Sequence, residues 1–243
     1  MAQATKEKVQ TAKAKSLQIS PSLLNLYLEC PRCFWLKINK KVERPSGPSS
    51  TLPNGMDYTL KNYYDSCRSK GLPSELKDRL PGKLLEDGEL IKKMRQRSFG
   101  FQVDEEVWFG GALDDVVVLK DGTMVPLDNK AKGFPPKDIH WTQIEQMSGY
   151  TLMLRENGFA TVNEAYLVLW YLDHKTMDMS DPLAFHLKIE KVSTDPDGIR
   201  KKILDAAKCL RGSIPQPGHR SGQDANEPCL FCQYRESGVS AKV

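Results

Sequence analysis

The sequence predicts an α/β fold, in its α+β variant, with one mixed central β-sheet flanked by helices. Three observations carry that reading. Apolar residues recur at helical spacing up to residue 98 and again after residue 138. Between residues 101 and 131 the period changes to that of strands. No internal repeat and no second composition regime divides the chain, whose 243 residues are 40% hydrophobic and 27% charged. That composition can bury a single core and is unlike that of a disordered chain.

The elements follow in order. Residues 1 to 17 hold Lys6, Lys8, Lys13 and Lys15 against Glu7 and read as a flexible basic tail, leaving 18 to 243 as the folded domain. Ser20-Pro21-Ser22 is a helix start, a hydroxyl cap followed by proline at the first helical position. That helix breaks before Pro31, and Phe34, Trp35, Leu36 and Ile38 give a second short helical face. Residues 44 to 54 are loop by composition, and a helix over 55 to 70 carries Met56, Leu60, Tyr63 and Tyr64. Helical pieces broken by Pro73, Pro81 and Gly88 fill 71 to 98.

Residues 101–109, 111–119 and 123–131 read as a meander of three strands. A helix over 138 to 157 follows, with Ile144, Met147, Thr151 and Leu154 as its inner stripe. Residues 165–171 and 184–189 give two more strands, and Asp195-Pro196 opens a last helix to about Leu210.

Charge excludes less than it first suggests. The formal net charge is +4, from 35 Lys and Arg against 31 Asp and Glu, and the tail holds most of it. The near-neutral body gives no global argument for nucleic acid. No run of 18 apolar residues is present to span a membrane, and the start lacks the apolar stretch of a secretory signal. The expectation is a cytoplasmic protein in a reducing compartment, with its cysteines unpaired.

Those cysteines fall in a pattern. Cys30-Pro31-Arg32-Cys33 and Cys229-Leu230-Phe231-Cys232 are two Cys-x-x-Cys pairs at opposite ends of the domain. Each spacing lets two thiolates reach one centre, so together they supply four soft ligands that would join the N- and C-terminal segments. Cys67 and Cys209 are expected to pack in the core.

The strand region holds charges that a sheet interior does not tolerate without a partner or a metal. They are Asp114 and Asp115 on one strand, and Asp128 and Lys130 on the next. Asp128 and Lys130 are two apart and share a face. A two-residue turn would pair 114 with 129, and a three-residue turn over Lys120, Asp121 and Gly122 pairs 114 with 128. Gly122 suits the left-handed position of the longer turn, which would gather Asp114, Asp128 and Lys130. Pro126 is the residue that could add a bulge. Two carboxylates offer hard ligands for Mg²⁺ or Mn²⁺, and a lysine beside them can meet the charge on a phosphodiester.

Gly111-Ala-Leu-Asp114-Asp-Val, Pro126-Leu-Asp128-Asn-Lys130 and Gln146-Met-Ser-Gly-Tyr150 thus follow one another on two hairpin strands and a helix. In that order they resemble the PD-(D/E)XK nuclease superfamily, and more narrowly its RecB-like exonuclease branch, whose third motif is Gln-x-x-x-Tyr. That branch includes CRISPR-associated RecB-like nucleases with an iron–sulfur cluster on terminal cysteines, the first lying in a Cys-Pro-Arg sequence like that at Cys30. The resemblance covers residues 20 to 235. It implies a restriction-endonuclease-like core, with Asp114 and Asp128 as metal ligands and Lys130 as the catalytic lysine. Gln146 and Tyr150 would orient metal, water or DNA backbone, and Cys30, Cys33, Cys229 and Cys232 would hold a 4Fe–4S cluster.

Two features depart from that pattern. The cluster-bearing relatives place one cysteine near the N-terminus and three near the C-terminus, whereas a two-and-two arrangement also suits tetrahedral Zn²⁺. Many members carry a histidine on the helix before the hairpin, whereas His140, His174, His186 and His219 all follow it. Asp57, on about the right helix, offers a further carboxylate.

The function implied is a Mg²⁺- or Mn²⁺-dependent deoxyribonuclease, exonuclease-like on single-stranded or end-containing DNA, of the kind used in DNA repair. The alternatives are a non-catalytic nucleic-acid-binding module and a zinc-stapled interaction protein on the same fold. DNA is the partner expected, with Lys92, Lys93, Arg95, Arg97, Lys130, Lys132 and Lys137 as candidates to track phosphates and Trp35 and Trp141 to stack on bases.

Overall fold

Ser20 starts the first helix by the mechanism its sequence offers, its hydroxyl accepting the Leu23 amide at 3.2 Å. The computed structural model describes residues 16–45, 47, 50–173, 184–217 and 228–240. Most of the expected basic tail, together with His174 and His219, lies outside the described residues. The tail's last residue is already structured, in strand β1 (Leu17–Ile19). Helices α1 (Pro21–Glu29) and α2 (Pro31–Lys40) flank Cys30, which caps the second helix. Helix α3 (Leu52–Cys67) begins three residues before the expected start, with Pro53 in its first turn, where a missing N–H costs nothing. A 3-10 turn, Arg68–Lys70, ends it.

The segment from 71 to 98 holds one helix, α4 (Gly88–Met94), and a two-residue strand, β2 (Lys83–Leu84). Residues 101–109 are two strands, not one: β3 (Gly100–Gln102) and β4 (Val107–Gly110) form an antiparallel pair. They turn at Asp104, whose carboxylate accepts the Glu106 and Val107 amides. With β1 parallel to β4, they make a separate three-stranded sheet rather than the first arm of a meander.

The larger sheet has the order β2-β5-β6-β7-β8, with β5 (Asp115–Val118), β6 (Met124–Lys132), β7 (Glu164–Leu172) and β8 (Phe185–Ser193). It is mixed, β6 and β7 being parallel and the other neighbours antiparallel. Helix α5 (Trp141–Glu156) is the crossover that a parallel pair requires. Helix α6 (Pro196–Arg211) is capped by Asp195, and a further helix, α7 (Leu230–Ser240), begins right after Cys229 and carries Cys232 in its first turn.

The sheet separates two apolar clusters. On one face Val116, Leu167 and Leu169 pack with Met147 and Met153 of α5 and Ile199 and Ile203 of α6. On the other, Val117, Val125, Leu127 and Val168 pack with Leu60 and Tyr64 of α3 and with Leu76, Leu80 and Leu84. Helix α5 is not the one-sided helix expected, because residues 147 to 154 are all buried. It lies between the large sheet, the small sheet and α1, so no face of that stretch meets water. Gly149 belongs to this crowding: a Cβ there would stand 3.1 Å from the Phe109 ring. Cys67 and Cys209 are both half-buried; Cys209 packs against the main apolar cluster, as expected, and Cys67 does not. No described helix is long and apolar enough to cross a membrane.

Asp115 is 1% exposed and survives burial through two guanidiniums. Arg68 grips it in a fork, at 2.9 Å to Oδ1 and 2.6 Å to Oδ2, and Arg95 adds 3.0 Å to Oδ2. Asp65 closes the group by accepting from both arginines. Asp115→Ala therefore leaves a buried guanidinium with less counter-charge and is expected to cost ~3–5 kcal/mol in urea unfolding. Asp114→Ala, one residue away and partly exposed, is expected to cost far less. Equal unfolding midpoints for the two variants would refute this division of roles.

Candidate metal-dependent active site

The hairpin takes the three-residue turn. Leu119 N donates to Thr123 O at 2.8 Å, enclosing Lys120, Asp121 and Gly122, and Gly122 has φ +87°. The ladder runs from Val118↔Met124 to Asp115↔Leu127 without a bulge, so its next step sets Asp114 beside Asp128. Pro126 is tolerated because the parallel ladder to β7 begins one residue later, at Leu127.

Asp114 sits just before β5 and accepts the Asn129 amide on Oδ2 at 3.3 Å. Asp128 is 1% exposed, and Lys130 Nζ lies 2.7 Å from its Oδ2. Lys130 also donates to Gln146 Oε1 at 3.1 Å, and Gln146 Nε2 donates to the Tyr150 hydroxyl at 2.7 Å. The five residues expected at the site thus form one contiguous group, reaching from the hairpin to α5. Asp57 joins it indirectly: Lys61 Nζ is 2.7 Å from Asp57 Oδ2 and 3.0 Å from Asp114 Oδ1. Asn129, between Asp128 and Lys130, faces the other way and accepts from Tyr64 and Trp170.

The electrostatics are those of a crowded acidic site. Burial pushes the Asp128 carboxyl up to about 7; Lys130 opposes that shift and Asp114 adds to it. Tyr150 is pushed well above the ordinary phenol range by burial and then by the charges of Asp128 and Asp114. Lys61 is raised despite burial, because Asp114 and Asp57 hold its charge. Asp128 Oδ2 is buried, and its close contact is the Lys130 ammonium. Two neighbouring carboxylates, one of them buried, are the kind of oxygen donors that a hard divalent ion takes. A cavity of about 470 Å³ adjoins Gln146 and Tyr150, lined also by Ser20, Ser22, Arg97 and Gly111.

The phosphate-tracking candidates divide. Arg95 belongs to the Asp115 network, with its Nε on the Asp114 carbonyl at 2.8 Å, and Lys92 pairs with Glu89. Trp35 donates to Gly212 O, which ties α2 to the end of α6. Lys61, Arg68 and Arg95 are the functional or supporting residues that the strand motifs do not point to. Asp57, Lys61, Tyr64 and Arg68 fall at i, i+4, i+7 and i+11, one helical stripe of mixed charge that marks the face of α3 meeting the hairpin.

The second centre joins the chain ends. Cys30, Cys33, Cys229 and Cys232 are buried, and their sulfurs all lie within 4.8 Å of one another. Cys30–Cys232 is 3.6 Å, and Cys33 is 3.8 Å from both Cys229 and Cys232. These four thiols could hold a metal. Cys33 is held below the ordinary thiol range by its hydrogen bond with Cys30 and by the Arg44 guanidinium. Arg44 also pairs with Glu29, stacks 4.5 Å from the Phe231 ring and lies 3.8 Å from Cys229 Sγ, and Arg235 lies 3.9 Å from Cys33 Sγ. Two cations beside four thiolates offset part of the charge such a centre gathers.

No family model matches this chain, and no curated protein matches it. Solved structures do match, among them one described as "Crystal structure of SSO0001", 12% identical, spanning 84% of this chain and 81% of that one with a TM-score of 0.46.

The four cysteines bring together Cys33 and Cys229, 196 positions apart in the chain. Cys232→Ala is expected to abolish metal binding at this centre and to cost ~2–5 kcal/mol, the range for losing a native crosslink. Metal content and thermal melting measure the two effects. Trypsin should then release the segment after residue 217 while the sheet stays intact.

Proposed function

We propose that this protein is a Mg²⁺- or Mn²⁺-dependent deoxyribonuclease, exonuclease-like on single-stranded or end-containing DNA. One observation carries the reading: Asp114, Asp128, Lys130, Gln146 and Tyr150 meet in a single hydrogen-bonded and ion-paired group. The resemblance of the three motifs to RecB-like exonucleases supports the same chemistry. A surface salt bridge would not need a carboxylate that is 1% exposed.

Hydrolysis adds water across one P–O bond of the diester. A divalent ion, when bound, supplies a water of lowered pKa and charge to meet the phosphate. Asp114 and Asp128 would hold that ion. Lys130 is kept in place by Asp128 on one side and Gln146 on the other, which leaves an N–H of its ammonium for the attacking water or a phosphate oxygen. Gln146 fixes the lysine, and the buried Tyr150 fixes Gln146.

The four-cysteine centre has no part in that reaction and is read as a structural metal site. Its Sγ spacing supports one tetrahedral ion, because a Zn–S bond of about 2.3 Å gives a tetrahedral edge of about 3.8 Å. The likeness to cluster-bearing nucleases supports a 4Fe–4S centre instead, which would set the thiols wider apart. A brown protein with charge-transfer absorption after anaerobic purification decides for iron–sulfur, and a colourless one with stoichiometric zinc decides for the single ion.

The enzyme reading expects Mn²⁺-dependent degradation of end-labelled single-stranded or duplex DNA. Lys130→Ala should lower the rate ~10²–10³-fold, with Gln146→Ala causing a smaller loss. Protein that leaves every DNA intact in Mn²⁺ yet still retards it on gels would instead be a nucleic-acid-binding module. Protein that neither cuts nor retards DNA points to the interaction protein.

A further inference from the structure

Lys61 stands inside the acidic group, and the reaction outlined above does not use it. Its ammonium lies between Asp57 Oδ2 and Asp114 Oδ1, at 2.7 and 3.0 Å. Asp57 and Lys61 are i and i+4 on α3, so the helix itself holds the carboxylate and the ammonium on one face. The lysine side chain is 26% exposed, too enclosed to be a loosely solvated surface cation. Asp114 already gives Oδ1 to Lys61 and Oδ2 to the Asn129 amide, while Asp128 Oδ2 meets the Lys130 ammonium.

We propose that Lys61 is a built-in cation that takes the place of a second metal ion, so that the site accepts a single divalent ion, at Asp114 and Asp128. The use made of that ion rests on the nuclease reading. In two-metal nucleases the ions sit about 3.5–4 Å apart and clamp the attacking and leaving oxygens. Here the third carboxylate that a second ion would need is Asp57, and Lys61 already neutralises it. Charge balance agrees. With all three carboxylates ionised, as a bound cation would hold them, Asp57, Asp114 and Asp128 against Lys61 and Lys130 leave one net negative charge. One divalent ion turns that into a single positive charge, matched to the single negative charge of a phosphodiester. A second ion would crowd three net positive charges around two fixed ammonium groups. With two of its N–H groups toward Asp57 and Asp114, Lys61 keeps a third for a phosphate oxygen.

Bound Mn²⁺ is counted by electron paramagnetic resonance on protein whose cysteine centre is left loaded. Wild type is expected to bind one ion, Lys61→Met to bind two, and Lys61→Arg to return the count to one. Thermal melting establishes that each variant is folded. Two ions on wild type, or one ion on a folded Lys61→Met, overturns the proposal and leaves the nuclease reading standing. No Mn²⁺ on wild type overturns both. If Lys61→Met does not fold, the wild-type count and the Mn²⁺ dependence of DNA cleavage still decide, a Hill slope of one supporting the proposal and a slope of two overturning it.

Discussion

A carboxylate buried in a sheet is intolerable alone, and the fork that Arg68 makes on Asp115 is the interaction on which the rest of this molecule depends. Arg68 ends α3, Arg95 follows α4, and Asp115 opens β5, so one ion cluster fixes three elements that share no backbone ladder with one another at that point. The same Arg95 holds the Asp114 carbonyl, so the residue that faces the site is set by the residue that faces away from it. Helix α3, pinned at its C-terminal end by Arg68, is thereby pressed against the hairpin with Asp57 and Lys61 on its inner side.

Consecutive aspartates thus take opposite fates through the pleat of one strand. Asp115 has both oxygens occupied by arginine, and its charge is spent on structure. Asp114 reaches across to Asp128, whose burial raises the cost of keeping both groups ionised. Placing like charges together stores an affinity for a cation, and Lys130 and Lys61 answer only part of it. Helix α5 is buried over residues 147 to 154, so Gln146 and Tyr150 are presented from a rigid support rather than a loop.

Much of this was legible in the residues. The count from Asp114 to Asp128, with Gly122 at the turn, sets the hairpin register, and the Cys-x-x-Cys pairs announce a shared centre. The four thiols do come together, and the residues of the three motifs meet. Strands β1 and β2 escaped because they are three and two residues long and owe their existence to the partners they pair with. The strand expected over 101–109 hid a turn, because Asp104 supplies its own bonds to the chain and needs no glycine. On α5 the expected inner residues Met147, Thr151 and Leu154 are buried, but so are those between them, because spacing reports one buried face and this helix has no exposed one along its middle. Arg95 reads from sequence as a phosphate-tracking cation, and Arg68 and Lys61 draw no reading at all, since sequence gives charge and spacing but not what the far side of a sheet will demand.

The cysteine centre has a consequence in time as well as in space. Cys30 and Cys33 are synthesised near the start of the chain, and their partners come almost 200 residues later. At ~5–20 residues per second the first pair waits ~10–40 s on the ribosome before the second exists. Through that interval two thiols that end up buried lack the two partners they finally meet. The four-thiol site is therefore complete only late in synthesis, and a chain cut short before Cys232 never assembles it.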